Sequence, residues 1–250
     1  MVALDDARRT LESGPPRKMV LMKRLFVWVF ASAIVATLFC PLTVAQSAPP
    51  APQARYIVVL DAAHGGDDQG GQLASGQAEK TATLVLSVKL RSLLSARGFQ
   101  VVTTRESDAT VTSDRRAEIA NRTQARACLS LHVSDSGSGV HLFASSLAPA
   151  SSARFVPWKT AQAAWITRSL ALTGALNSSL QQAGIPVTLA RTTLPGIDSM
   201  TCPAVAIELA PERDASHTVQ SAPDDPAYQS RVAEALAAAL LVWRTEAQQP

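Results

Sequence analysis

Four side chains of this 250-residue sequence have the types that metal-assisted hydrolysis uses, and three of them close short apolar runs. His64 follows Tyr56–Leu60 in Asp61-Ala62-Ala63-His64-Gly65-Gly66. His132 closes Leu129-Ser130-Leu131-His132, and Glu208 closes Ala204-Val205-Ala206-Ile207-Glu208. Glu79 opens the first long helical pattern. Two imidazoles and a carboxylate on one edge would satisfy a catalytic zinc, which takes three protein ligands and keeps one position open. A second carboxylate would then act as the acid–base group. Each residue also has a plainer reading. A histidine at a strand end can be a hydrogen-bonded loop residue, and Glu79 can simply favour the positive end of a helix dipole. Glu208 ends an apolar run, so its carboxylate needs a partner. His141, alternating within a strand, and His217, in a polar loop, read as structural or surface residues.

The elements that must carry these groups alternate in type. Strands are expected at Tyr56–Leu60, a short apolar β-branched run, and at Phe99–Thr104, Ala127–Val133, Gly139–Ala144 and Ala204–Leu209. Helices are expected over Glu79–Arg97, where Ala82, Leu86, Leu90, Leu93 and Leu94 share a face, and over Asp114–Arg126, with Thr112 or Ser113 as cap. Two more follow, over 158–183 and Pro226–Trp243, the last capped by Asp225 with a Val232, Leu236, Leu240 and Trp243 stripe. Strands separated by helices predict an α/β fold: a single-domain sandwich with a mostly parallel central sheet and helices on both faces. Ligands of such sheets sit at the carboxyl ends of the strands, where His64, His132 and Glu208 fall.

The amino terminus reads as an address. Leu25 to Ala45 is uncharged and apolar, follows Arg17-Lys18 and Lys23-Arg24, and leads into Ser47-Ala48-Pro49-Pro50-Ala51-Pro52. Residues 1–45 are thus a secretory signal, cleaved after Ala45 or Ala48, or a retained membrane anchor of spanning length. Met19 or Met22 are alternative starts, and Cys40, preceded by Phe39, does not read as a lipid-attachment site. Either way the rest is placed outside the cytoplasm, in the periplasm or cell envelope. Residues 46–54 form a Pro/Ala-rich linker and 55–246 the catalytic domain. Residues 1–45 hold six of the 23 Lys and Arg and three of the 20 acids, leaving 17 of each beyond. That balance lacks the footprint of a nucleic-acid binder. Cys128 and Cys202 could pair in an oxidising compartment or stay as buried thiols; they form no zinc pattern.

Taken in order, these pieces resemble the zinc-dependent N-acetylmuramoyl-L-alanine amidases of the AmiA/AmiC/CwlV type, the Amidase_3 family, from about Tyr56 to Val242. Leu60–Gly66 resembles the strand and first zinc histidine. Asp68, Gly70, Gly76, Glu79 and Lys80 resemble the Gly-rich loop and its Glu-Lys pair. Gly98-Phe99, Thr104-Arg105, Asp108, Arg116 and Ala120-Asn121 match the stretch that follows. Ser130-Leu131-His132 matches the second zinc histidine, and Pro203–Leu209 the strand with the catalytic glutamate. The resemblance implies Zn²⁺ held by His64, Glu79 and His132, with Glu208 as acid–base group. It implies a hydrolase of peptidoglycan that cuts the amide between N-acetylmuramic acid and the L-alanine of the stem peptide. Arg105, Arg116 and Asn121 are expected to be structural.

The sequence departs from the family in three places. Ala62-Ala63 replaces Pro-Gly, so a positive φ there would strain Ala63. Val133-Ser134 follows His132 where a small residue and Asn are usual, and Leu209-Ala210-Pro211-Glu212-Arg213 follows Glu208. The short stretch after His132 leaves no room for the inserted helix that plugs some cell-division members, which implies an open site. The other readings are a non-catalytic wall-binding or regulatory module on the same fold, a zinc peptidase acting on another exported amide, and a bitopic membrane protein. An activator partner is not readable.

Overall fold

The computed structural model describes residues 56–150 and 156–246. The 1–45 address and the 46–54 linker lie outside the described residues. Six strands form one sheet: β1 (Ile57–Ala62), β2 (Gln100–Thr103), β3 (Ala127–Val133), β4 (Val140–Ser145), β5 (Val187–Thr192) and β6 (Ala204–Leu209), in spatial order β2-β1-β3-β6-β4-β5. Among the described residues of this sheet only the β4–β6 pairing is antiparallel. A two-stranded ribbon of β7 (Glu212–Arg213) and β8 (Val219–Ser221) follows β6.

Helices cover both faces, as the alternating pattern requires. On one face lie α1 (Glu79–Ala96), α3 (Ile166–Gln182) and α5 (Pro226–Glu246). Leu86, Leu90 and Leu94 of α1, Leu172, Leu176 and Leu180 of α3, and Val232, Leu236 and Leu240 of α5 are fully buried there against Val58, Leu60, Leu129 and Leu131. Each such leucine is worth ~1.5–3 kcal/mol in burial. The other face is shallower: α2 (Ser113–Arg122) and the short α4 (Pro195–Asp198) bury Ala117, Ala120 and Ile197 over Val59, Cys128, Ala204 and Ala206. Alternation along each strand separates the two cores. It also places Ser130 and His132, and Ala206 and Glu208, on the thinner side.

The caps follow from residue type. Thr112 accepts from the Arg115 N–H at the start of α2, and Asp225 accepts from the Ala227 and Tyr228 N–H groups at the start of α5. Several boundaries differ from expectation. α2 stops at Arg122 rather than Arg126, because Gln124 turns into the left-handed region at φ 52°. The expected helix over 158–183 is broken at Trp165 into a 3-10 stretch, Trp158–Ala164, and α3. β5 and the β7–β8 ribbon add to the expected strands. β5 is an edge strand whose residues are mostly exposed, so it carries no apolar alternation.

Cys128 in β3 and Cys202, just before β6, are joined in a disulfide and are each 1% exposed. The bond ties the strand carrying His132 to the segment entering the strand carrying Glu208. Among the described residues no helix is long and apolar enough to cross a membrane.

Candidate metal centre

The turn after β1 is built from two buried arginines. Arg116 donates to Asp61 Oδ1 and to the Ala62 carbonyl, both at 2.6 Å, and to the His64 carbonyl at 2.7 Å. Arg105 donates to the carbonyls of Ala62, Ala63 and Lys80 at 2.7–3.0 Å. Asp61 is met on its other oxygen by the Ser130 hydroxyl at 2.8 Å. These bonds satisfy carbonyls that leave the ladder at the strand end. Arg105 and Arg116 thus have structural partners, as does Asn121, which bonds the backbone of Ser199 and Thr201. The strain expected at Ala63 is displaced by one residue: Ala63 keeps a negative φ, while His64 itself sits at φ 61°. A left-handed backbone on a non-glycine residue costs on the order of 1–3 kcal/mol, held here by the arginine network.

That backbone turns the His64 ring toward the amino terminus of α1. Its Nε2 lies 3.1 Å from Glu79 Oε2, and its Nδ1 lies 2.9 Å from Asp68 Oδ2. Glu79 also faces His132, whose Nδ1 lies 3.0 Å from Oε1. The Gly71 and Val133 N–H groups donate to the same carboxylate at 2.9 and 3.2 Å. One donor atom from each of His64, Glu79 and His132 lies within 4.8 Å of the others. Gly70 passes directly over this cluster at φ 65°: a Cβ there would stand 2.6 Å from the His64 ring and 2.7 Å from Glu79 Oε2.

Burial alone would raise the Glu79 carboxyl, but the two imidazoles and the Gly71 N–H outweigh it and hold the group well below the usual carboxylate range. The Glu79 carboxylate raises His64; burial opposes this in part and Asp68 adds to it. The centre therefore presents an ionised carboxylate between two imidazoles. Glu208 stands next to His132 in the parallel β3–β6 register, on the same face of the sheet. Beside His64 and His132 opens a cavity of about 300 Å³, walled by Val111, Ser113 and Leu194–Ile197.

The family model described as N-acetylmuramoyl-L-alanine amidase, Amidase_3, matches residues 58–241. The chain belongs to the Amidase_3 family. Among curated proteins, the N-acetylmuramoyl-L-alanine amidase AmiA of Escherichia coli is 34% identical over 103 residues, 40% of this chain and 36% of AmiA. The match thus spans about a third of that relative's length. Among solved structures, an N-acetylmuramoyl-L-alanine amidase from Clostridium difficile 630 superposes with a TM-score of 0.61 at 22% identity, covering 78% of this chain and 99% of that one. Ami1 from Mycobacterium smegmatis gives 0.60 at 19% identity, covering 77% and 100%. At these identities the likeness is one of fold.

The four expected site residues of this Amidase_3 chain fall at one edge of the sheet. His64, Glu79 and His132 meet directly, and Glu208 stands one strand away. The altered residues after His132 do not disturb the centre, because Val133 contributes only its backbone N–H. His141, expected to be structural or surface, meets Glu208 with its Nδ1 2.8 Å from Oε1. This is the partner that an otherwise isolated carboxylate at the end of an apolar strand required. The signal available in the sequence was only that demand.

Proposed function

We propose that this chain hydrolyses the amide between the lactyl group of N-acetylmuramic acid and the L-alanine of the stem peptide in peptidoglycan. In this reading His64, Glu79 and His132 hold a single Zn²⁺ and Glu208 is the acid–base group. The observation that carries it is the meeting of two imidazoles and an ionised carboxylate within 4.8 Å, with a second carboxylate in register beside them. The donor set fits the metal: nitrogen and oxygen ligands suit Zn²⁺, and three rather than four leave a position open. The Asp68 carboxylate on His64 Nδ1 is the kind of outer partner that fixes a ligand histidine's tautomer.

Bound there, zinc would polarise the scissile carbonyl and make water a nucleophile near neutral pH. The protein does the rest. Glu208 takes a proton from the attacking water and returns it to the leaving amine. His64, Glu79 and His132 fix where the reacting carbonyl sits relative to that carboxylate, and the cavity beside them receives the substrate chain. Export to the periplasm or cell envelope, by a cleaved signal or a retained anchor in residues 1–45, completes the reading. A buried disulfide suits an oxidising compartment.

The test is digestion of purified peptidoglycan, with and without chelator, read by mass spectrometry. Free stem peptides beginning with L-alanine are expected, lost on chelation and restored by zinc. Glu208→Gln is expected to keep its zinc and lose ~10²–10⁴ in rate. Binding without peptide release, at full zinc occupancy, would overturn the enzymatic reading in favour of a non-catalytic wall-binding module.

A further inference from the structure

β4 runs against the other strands it reaches through β6, so its second residue, not its last, arrives at the reactive edge. His141 pairs with Glu208 across β4–β6, and Glu208 pairs with His132 across β6–β3. Residues paired in register leave the same face of the sheet, so the three side chains stand in a row. His141 Nδ1 lies 2.8 Å from Glu208 Oε1; with Glu208 in the carboxylate form that a general base uses, Nδ1–H is the donor of this contact.

The imidazole is built in on its other sides. A Cβ at Gly137 would lie 2.2 Å from His141 Cε1 and 2.5 Å from Nε2, so only glycine at φ 84° lets the ring occupy this place. The Gly137 carbonyl accepts from Arg213 Nε at 3.0 Å, which anchors that wall. Phe143, two residues on and on the same face, meets the ring edge-on with centroids 6.3 Å apart. The His141 side chain is 15% exposed.

We infer that His141 is a positioning residue for Glu208. Its Nδ1–H holds Oε1 and fixes the rotation of the carboxylate. Oε2, which has no protein hydrogen-bond partner among the described residues, is left to receive the proton. The inference rests on the reading of Glu208 as the acid–base group.

Two measurements test it. The first is kcat and KM on a soluble muramyl-peptide fragment for His141→Ala and His141→Asn, at equal zinc content. The alanine variant is expected to lose about 10–100-fold in kcat with KM near the original, by analogy with the loss when a partner that orients a metal ligand is removed. The asparagine variant, whose amide nitrogen falls near the place of Nδ1, is expected to recover much of that loss. The second is the ¹⁵N spectrum of the histidine rings in the metal-free protein. Nδ1 of His141 is expected to carry a proton whose resonance moves in Glu208→Ala. A kcat for His141→Ala within twofold of the original, or an unprotonated Nδ1, would overturn the inference. Glu208→Gln separates the two failures. Full activity in that variant removes the role of Glu208 itself, whereas an inactive Glu208→Gln beside an unimpaired His141→Ala removes only the role of His141.

Discussion

Reducing the Cys128–Cys202 disulfide changes two hydrogen atoms and leaves every other group of the fold in place. The bond closes a loop with a sequence separation of 74. In the chain-entropy description, a loop of that length confines the unfolded ensemble by about 4 kcal/mol. That is a large share of the ~5–15 kcal/mol that stabilises an ordinary domain. For a domain of this size each kcal/mol moves the melting temperature by ~2–4 °C, so reduction is expected to lower it by roughly 8–16 °C. The assay is urea and thermal unfolding of oxidised protein and of protein refolded in reductant, with the free thiols counted. The hydrogen bonds between β3 and β6 do not depend on the sulfurs, so metal uptake at 25 °C is expected to survive. Coincident unfolding midpoints, with both thiols titrating as free, would refute the loop-entropy reasoning.

Two further expectations follow from single residues. Burial pushes the Tyr56 hydroxyl up from 10.0 to about 12, and Tyr228 is raised by the same cause. A raised folded value means that the unfolded chain loses its protons first. Stability is therefore unaffected below pH 10 and falls as pH rises from 10 toward 12, by about 3 kcal/mol for Tyr56 at ~1.4 kcal/mol per unit. Tyr56→Phe is expected to lessen the fall between pH 8 and pH 11 in urea unfolding; an unchanged alkaline loss would show that Tyr56 is not its source. Gly70→Ala would place a methyl group at 2.6–2.7 Å from His64 and Glu79 and force alanine to φ 65°. Zinc affinity measured by competition with a chromophoric chelator is expected to fall at least tenfold, and an unchanged affinity would show that the loop yields without moving the ligands.

The parts legible in the sequence are those whose cause is local. The α1 and α5 stripes follow from 3.6-residue periodicity, and β1, β3 and β6 from short buried apolar runs. The strand-end positions of His64, His132 and Glu208 come with them. That Glu79 meets both histidines is a matter of how α1 enters over the sheet, and the residues alone left it open to a helix-dipole reading. What stayed hidden had non-local causes. β5 is held by one neighbour and exposes Thr188, Leu189, Arg191 and Thr192, so it shows no pattern. His141 reads as an alternating strand residue until the direction of β4 is known. The left-handed residue is His64 rather than Ala63, because the arginine contacts, not the residue type, decide where the chain turns. The disulfide required knowing that β3 and β6 are neighbours.

The reversed strand β4 also governs how the reactive edge can be remodelled. β3 and β4 are not adjacent, so residues 134–139 must step across the end of β6. Two strand spacings amount to roughly 10 Å, about half of the roughly 20 Å that six extended residues can span. The slack is used to lay Gly137 against the His141 ring, so shortening the connection would displace that wall. Lengthening it would add chain at the end of the strand that carries Glu208, and Asp135 within it accepts from the Ala74 N–H of the loop leading to Glu79. This one crossing therefore touches both halves of the edge, the loop before Glu79 through Asp135 and the Glu208–His141 pair through Gly137.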